Sequence, residues 1–146
     1  MEKVNIVLVD DDEEDRLLFS LAIKKIGIES SLTDIESCDE LIRHLGECNG
    51  QLPDIIFLDI NMPLKDGKLC LKEIRKDQKF HNIPVIMYST SDHPNDVEET
   101  FREGANLYTV KAVSFSDQVD ILKKVFEGNW KKKLWVIDKS AFFIHS

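Results

Sequence analysis

The sequence lacks a long apolar run. No stretch approaches the ~20 residues needed to span a bilayer, so membrane insertion is not expected. The start, Met1-Glu2-Lys3, enters a short apolar run at once and has neither the h-region nor the small-residue cleavage site of a secretory signal. Cysteine is scarce: Cys38, Cys48 and Cys70 are an odd number without CxxC spacing, and read as reduced thiols of a cytoplasmic protein rather than a disulfide frame. Positive charge is also short. Nineteen Lys and Arg face 27 Asp and Glu, a formal net charge of −8. That balance argues against direct nucleic-acid binding, which needs clustered Lys and Arg. The one basic run, Lys131-Lys132-Lys133, reads as a solvated surface run. Internal repeats and low-complexity segments are missing too.

What is present is an ordinary globular composition, 42% apolar and 32% charged over 146 residues, enough for one compact domain. Four short apolar runs stand out: Ile6–Val9, Ile55–Leu58, Val85–Tyr88 and Leu107–Val110. Runs of this length, rich in β-branched and aromatic residues, suit strands buried on both faces. Ser30–Ile35 is a weaker strand. Helical patterns lie between them. Residues 13–26 carry Leu17, Leu18, Leu21, Ala22 and Ile26 at helical spacing, acids in the first turn and Gly27 as the stop. Cys38–Leu45 and Leu69–Arg75 read as the second and third helices. The fourth has Pro94 in its first turn, with Val97, Phe101 and Ala105 inward. Ser114 and Asp117 resemble a capping box for the fifth, which runs to Gly128 with Phe115, Val119, Leu122 and Phe126 on one stripe. Strand and helix alternate five times, which predicts an α/β fold, a doubly wound parallel sheet with helices on both faces.

Each strong strand is followed by a chemically useful residue. Asp10-Asp11-Asp12 follow the first, Asp59 the second, Ser89 the third and Lys111 the fourth. Right-handed crossovers bring the carboxyl ends of such strands to one edge, where ligands of open α/β sheets bind. Clustered carboxylates repel one another unless a cation intervenes. A hard divalent ion such as Mg²⁺, with oxygen ligands, resolves that conflict. A carboxylate can also attack phosphorus to give an aspartyl phosphate, with Mg²⁺, Lys111 and the Ser89 hydroxyl neutralising the phosphoryl oxygens. Singly, each residue has a plain reading: Asp12 as a helix N-cap, Asp59 as a turn cap, Ser89 as a loop hydroxyl, Lys111 as a surface charge. Their joint placement favours the chemistry.

Val9-Asp10-Asp11, Leu58-Asp59-Ile60-Asn61-Met62-Pro63 with Asp66-Gly67, Ser89 and Val110-Lys111 resemble the receiver domain of response regulators in two-component systems, over about residues 4–128. The resemblance implies a flavodoxin-like (βα)5 fold with five parallel strands in the order 2-1-3-4-5. It divides the chain into a receiver domain, 1–128, and a tail, 129–146, with no separate output domain. It implies Asp59 as phosphoacceptor. Asp10, Asp11 and Asp59 would bind Mg²⁺ together with the backbone carbonyl of Asn61. Ser89 and Lys111 would bind the phosphoryl oxygens, and Ser89 and Tyr108 would act as the switch pair. Tyr108 has a competing reading as a plain core aromatic. The implied function is a phosphorelay switch. It takes phosphate from a histidine kinase or His-containing phosphotransfer protein and signals to a downstream protein target, with homodimerisation left open. It would catalyse only its own phosphorylation and dephosphorylation, and is not a metabolic enzyme.

Two alternatives stand beside it. A pseudo-receiver would bind a partner without phosphorylation. A haloacid-dehalogenase-type phosphohydrolase would use Asp10 and Asp12. The family usually has a cis-proline after the lysine, and here Ala112 follows Lys111. A cis bond before a non-proline costs ~2.5–4 kcal/mol, and the sequence leaves cis or trans open. The tail holds Leu134-Trp135-Val136-Ile137 and Phe142-Phe143-Ile144. It is too apolar for a solvated linker and is expected to pack on its own domain, the alternative being a docking or dimer segment.

Overall fold

A computed structural model describes residues 3–135 and 138–144. Strands β1 (Val4–Val9), β2 (Ser30–Ile35), β3 (Ile55–Leu58), β4 (Val85–Ser89), β5 (Leu107–Val110) and β6 (Phe143–Ile144) form one sheet in the order β2-β1-β3-β4-β5-β6. All neighbouring strands pair in parallel. The order across β1 to β5 matches expectation. The count of five is corrected to six: β6 comes from the tail and pairs Phe143 with Tyr108 and Ile144 with Thr109.

The strands alternate between two cores, as a two-sided sheet requires. Val7, Val9, Ile56, Leu58, Val85, Met87 and Tyr108 face one core. Ile6, Leu8, Ile55, Phe57, Ile86, Tyr88 and Leu107 face the other. The first core is closed by α2 (Cys38–Gly46), α3 (Gly67–Lys76), residues of α4 (Pro94–Arg102), and Phe142 from the short turn α7 (Lys139–Phe142). The second is closed by α1 (Glu13–Ile26), α5 (Phe115–Val125) and Leu134, which follows the turn α6 (Trp130–Lys133). Caps set the helix starts. Asp12, Ser37, Asp66 and Ser114 each accept a backbone N–H three residues on.

The inward face of α1 differs from expectation. Phe19, Ala22 and Ile23 are buried, while Leu17, Leu18 and Leu21 are exposed. Phe19 decides this, because its ring meets Phe57 and Tyr88 edge-on at 4.9 and 5.4 Å, contacts that add to its large buried area. Phe115, expected on the buried stripe of α5, is likewise exposed. The thiol expectation also fails for two cysteines. Cys38 and Cys70 are joined in a disulfide, with Cα atoms 5.7 Å apart, and Cys48 is free. Their sequence separation of 32 carries no motif, but α2 and α3 lie on one sheet face and turn both side chains into one layer. In the tail, Leu134 and Phe142 are buried and Lys131–Lys133 are exposed; Val136 and Ile137 lie outside the described residues. Among the described residues, no helix is long and apolar enough to cross a membrane.

Candidate functional site

Parallel pairing puts the ends of β1, β3, β4 and β5 side by side, and Asp10, Asp59, Ser89 and Lys111 meet there. Asp10 and Ser89 are fully buried, Asp59 is 4% exposed and Asp11 is exposed. Carboxylate oxygens of Asp10, Asp11 and Asp59 all lie within 4.8 Å of one another.

Lys111 Nζ reaches into this cluster. It stands 2.7 Å from Asp10 Oδ2, 2.8 Å from Asp15 Oδ2 and 3.1 Å from Asp59 Oδ2, and 5.2 Å from the centre of the Tyr88 ring. The Lys111–Ala112 peptide is trans, since the described residues hold no cis peptide. The lysine therefore reaches the Asp59 carboxylate without a cis bond. Asp15 is one of the acids in the first turn of α1. In the fold it also becomes the third partner of Lys111.

The loop after Asp59 turns back sharply on itself. Gly67 N–H donates to Ile60 O at 2.9 Å and Met62 N–H to the same oxygen at 3.1 Å. A Cβ on Gly67 would overlap the Asp59 carbonyl oxygen and come within 2.8 Å of Ile60 Cα. Asn61 N–H donates to Asp59 Oδ1 at 3.1 Å, and its Nδ2 to Ser89 Oγ at 3.4 Å. Ser89 Oγ also accepts from Ser91 N–H at 3.2 Å. Tyr108 is fully buried and its hydroxyl donates to Ser91 O at 2.7 Å. Ser91 is thus the junction between Ser89 and Tyr108.

Charge in the cluster is unbalanced. Burial pushes the Asp59 carboxyl up to about 6; Lys111 opposes that rise and Asp10 adds to it. Burial also raises Asp10, against the pull of Lys111. For Lys111, burial favours the neutral amine, but the carboxylates around it prevail and hold it protonated above its usual range. One ammonium cannot neutralise Asp10, Asp11, Asp15 and Asp59. Asp10 Oδ2 is fully buried and has no aligned hydrogen bond, only the ion pair with Lys111. An all-oxygen cluster with surplus negative charge and an exposed member fits a hard divalent cation that keeps some of its waters.

A carboxyl whose folded pKa is raised favours folding only while it is protonated. The contribution of Asp59 is lost as pH climbs from about 4 through about 6. Without divalent cation, Asp59→Asn is expected to be about 1–3 kcal/mol more stable than wild type at pH 8, the lost Lys111 contact offsetting part of the gain. The difference should vanish near pH 4 and shrink when Mg²⁺ is added. Urea melts at the two pH values measure it; equal stability at pH 8 in chelator would contradict it.

The hydrolase reading through Asp10 and Asp12 finds no support in this geometry. The Asp12 side chain caps α1 by accepting from Asp15 N–H, and is not among the three clustered carboxylates.

The sequence pattern of the response regulator receiver domain matches residues 6–124. Response regulator Rcp1 of Synechocystis sp. is 29% identical over 129 residues, 86% of this chain and 87% of that protein. The probable methanogenesis regulatory protein FilR2 of Methanothrix harundinacea is 28% identical over 126 residues, 84% and 81% of the two chains. Among solved structures, the phosphorylated cyanobacterial phytochrome response regulator RcpA superposes with a TM-score of 0.79 at 29% identity, over 86% of this chain and 93% of that one. The Mn²⁺-bound form of Rcp1 gives 0.76 at 27% identity, over 92% and 97%. The chain belongs to the response regulator receiver domain family of two-component systems.

Proposed function

We propose that this receiver accepts a phosphoryl group on Asp59 from a phosphohistidine of a kinase or phosphotransfer protein. One observation supports this above the others: Asp59 sits where Lys111, Asp10 and Asp11 converge, held through Oδ1 by Asn61 N–H and through Oδ2 by Lys111. A carboxylate oxygen of Asp59 attacks phosphorus, and the P–N bond to the donor imidazole breaks as the acyl phosphate forms. Lys111 exchanges part of its contact with Asp59 for a phosphoryl oxygen. The Ser89 hydroxyl accepts two N–H bonds and keeps its own proton to donate to another. Asp10, Asp11, Asp59 and the Asn61 carbonyl are the groups that would hold Mg²⁺, which when bound neutralises charge developing on the transferred group.

Phosphorylation adds ~−1.5 to −2 charge and strong acceptor oxygens. These bias the β4–α4 loop, which Ser89 and Ser91 tie to Tyr108, and output follows through altered contacts with a downstream protein. No observation favours the pseudo-receiver reading; Asp10, Asp11 and Asp59 cluster together with Lys111 reaching between them. The test is incubation with acetyl phosphate and Mg²⁺ followed by intact mass. One added phosphoryl group, lost when chelator replaces Mg²⁺, is the expected result. No addition from acetyl phosphate or from phosphorylated histidine donors would overturn the reading.

A further inference from the structure

Phe142 is 1% exposed and packs edge-on against Phe101 of α4, ring centres 5.1 Å apart. It also meets Tyr108 at 6.4 Å, and Phe143 meets Tyr108 at 5.6 Å. Backbone pairing joins the same residues, Tyr108 with Phe143 and Thr109 with Ile144. Outside, Lys139 Nζ pairs with Glu98 of α4 at 2.6 Å. Residues 138–144 therefore form a strap across α4 and the edge of β5, packed against Tyr108. The hydroxyl of that tyrosine donates to Ser91 O. From Ser91 the bonds run to Ser89, Asn61 and Asp59.

We propose that the strap and the Asp59 site are energetically coupled through Ser89, Ser91 and Tyr108, so that loading the site tightens the strap and loosening the strap weakens loading. This rests on the reading of Asp59 as acceptor. A group on Asp59 that takes a hydrogen bond from Ser89 fixes the Ser89 hydroxyl. Ser91 N–H is bonded to that hydroxyl, and Ser91 O is the acceptor that positions the Tyr108 ring. Ordering the first member restricts the last, on which Phe142 and Phe143 are packed. The strap is thereby a second input to the switch: whatever lifts it from α4 and β5 acts on the acceptor site. Coupling of this kind is reciprocal.

The test is hydrogen exchange of the full chain with Mg²⁺ alone and with Mg²⁺ plus beryllofluoride, following peptides that cover the acceptor loop, the β4–α4 loop and residues 138–144. Protection of the acceptor loop reports that the site is loaded. Exchange of 138–144 is then expected to slow about fivefold or more. Unchanged or faster strap exchange with a protected acceptor loop would overturn the proposal. An unprotected acceptor loop would instead count against the acceptor reading. A variant tests the coupling without loading. Lys139→Glu turns an exposed ion pair into repulsion and spares the core. It should speed exchange of the strap and of residues 89–92 together; faster strap exchange with an unmoved β4–α4 loop would also overturn the coupling.

Discussion

Replacing Lys111 by methionine is expected to cost the cation-free protein about 3–5 kcal/mol at pH 8, the usual effect of removing one partner from a buried ion pair. The Lys111 side chain is 9% exposed and those of Asp10 and Asp59 are 0% and 5% exposed. Methionine fills the volume and leaves two buried carboxylates with no cation. Both then move further toward the protonated form, Asp59 beyond its already raised value of about 6. The sign follows from linkage. Protonated carboxyls need no counter-charge, so the loss is small at pH 4 and grows as pH rises. Mg²⁺ should restore part of the stability by supplying positive charge beside the same oxygens. Phosphoryl incorporation is a separate matter. The variant lacks the ammonium proposed to meet the phosphoryl oxygens, and its rate should fall roughly 10²–10³-fold even with Mg²⁺ saturating. Urea melts at pH 4 and pH 8, with and without Mg²⁺, read the first effect, and a mass-spectrometric time course with acetyl phosphate reads the second. A variant as stable as wild type at pH 8 in chelator would show that Lys111 does not compensate the acidic cluster.

Gly67→Ala is the second large effect. A methyl group there overlaps the carbonyl of Asp59 itself and crowds Ile60 Cα. Backbone on both sides leaves no flexible side chain to yield. Either the N-terminus of α3 or the loop after Asp59 must move, at a cost of about 1–3 kcal/mol for an overpacked buried site. The movement also breaks the bond from Gly67 N–H to Ile60 O that sets the turn after Asp59. Asn61 lies within that turn and holds Asp59 Oδ1. The account therefore predicts a folded protein with lowered melting temperature and a phosphorylation rate down by an order of magnitude or more, roughly the loss that small misplacement of a reacting group brings. Thermal melts and the same mass time course check it. Wild-type phosphorylation in this variant would mean that the tight turn does not position the acceptor.

The architecture was legible because strand and helix carry different periods and because each buried strand ends in a polar residue. Asp10, Asp59, Ser89 and Lys111 announced themselves in that way, and parallel pairing brought them together. Other features depended on three-dimensional neighbours. Asp15 looks like any acid favoured in the first turn of a helix; only the reach of Lys111 across from β5 makes it a partner. The leucines of α1 have helical spacing, but so do Phe19, Ala22 and Ile23, and the aromatic contacts of Phe19 with β3 and β4 select the second stripe. Cys38 and Cys70 have no motif spacing, and their meeting depends on how α2 and α3 sit side by side. The apolar tail signalled burial without an address. Phe142 and Phe143 found theirs on Tyr108 because β5 would otherwise end the sheet with an open edge, and β6 pairs with it.

The most direct test is the location of the phosphoryl group. Protein loaded with acetyl phosphate and Mg²⁺ is reduced with borohydride, which converts an acyl phosphate to the corresponding alcohol, and is then digested and sequenced by mass spectrometry. The account predicts homoserine in place of aspartate at position 59 in wild type, and no reduced residue in Asp59→Asn. Reduction at Asp10, or a phosphoryl group that persists in Asp59→Asn, would contradict it.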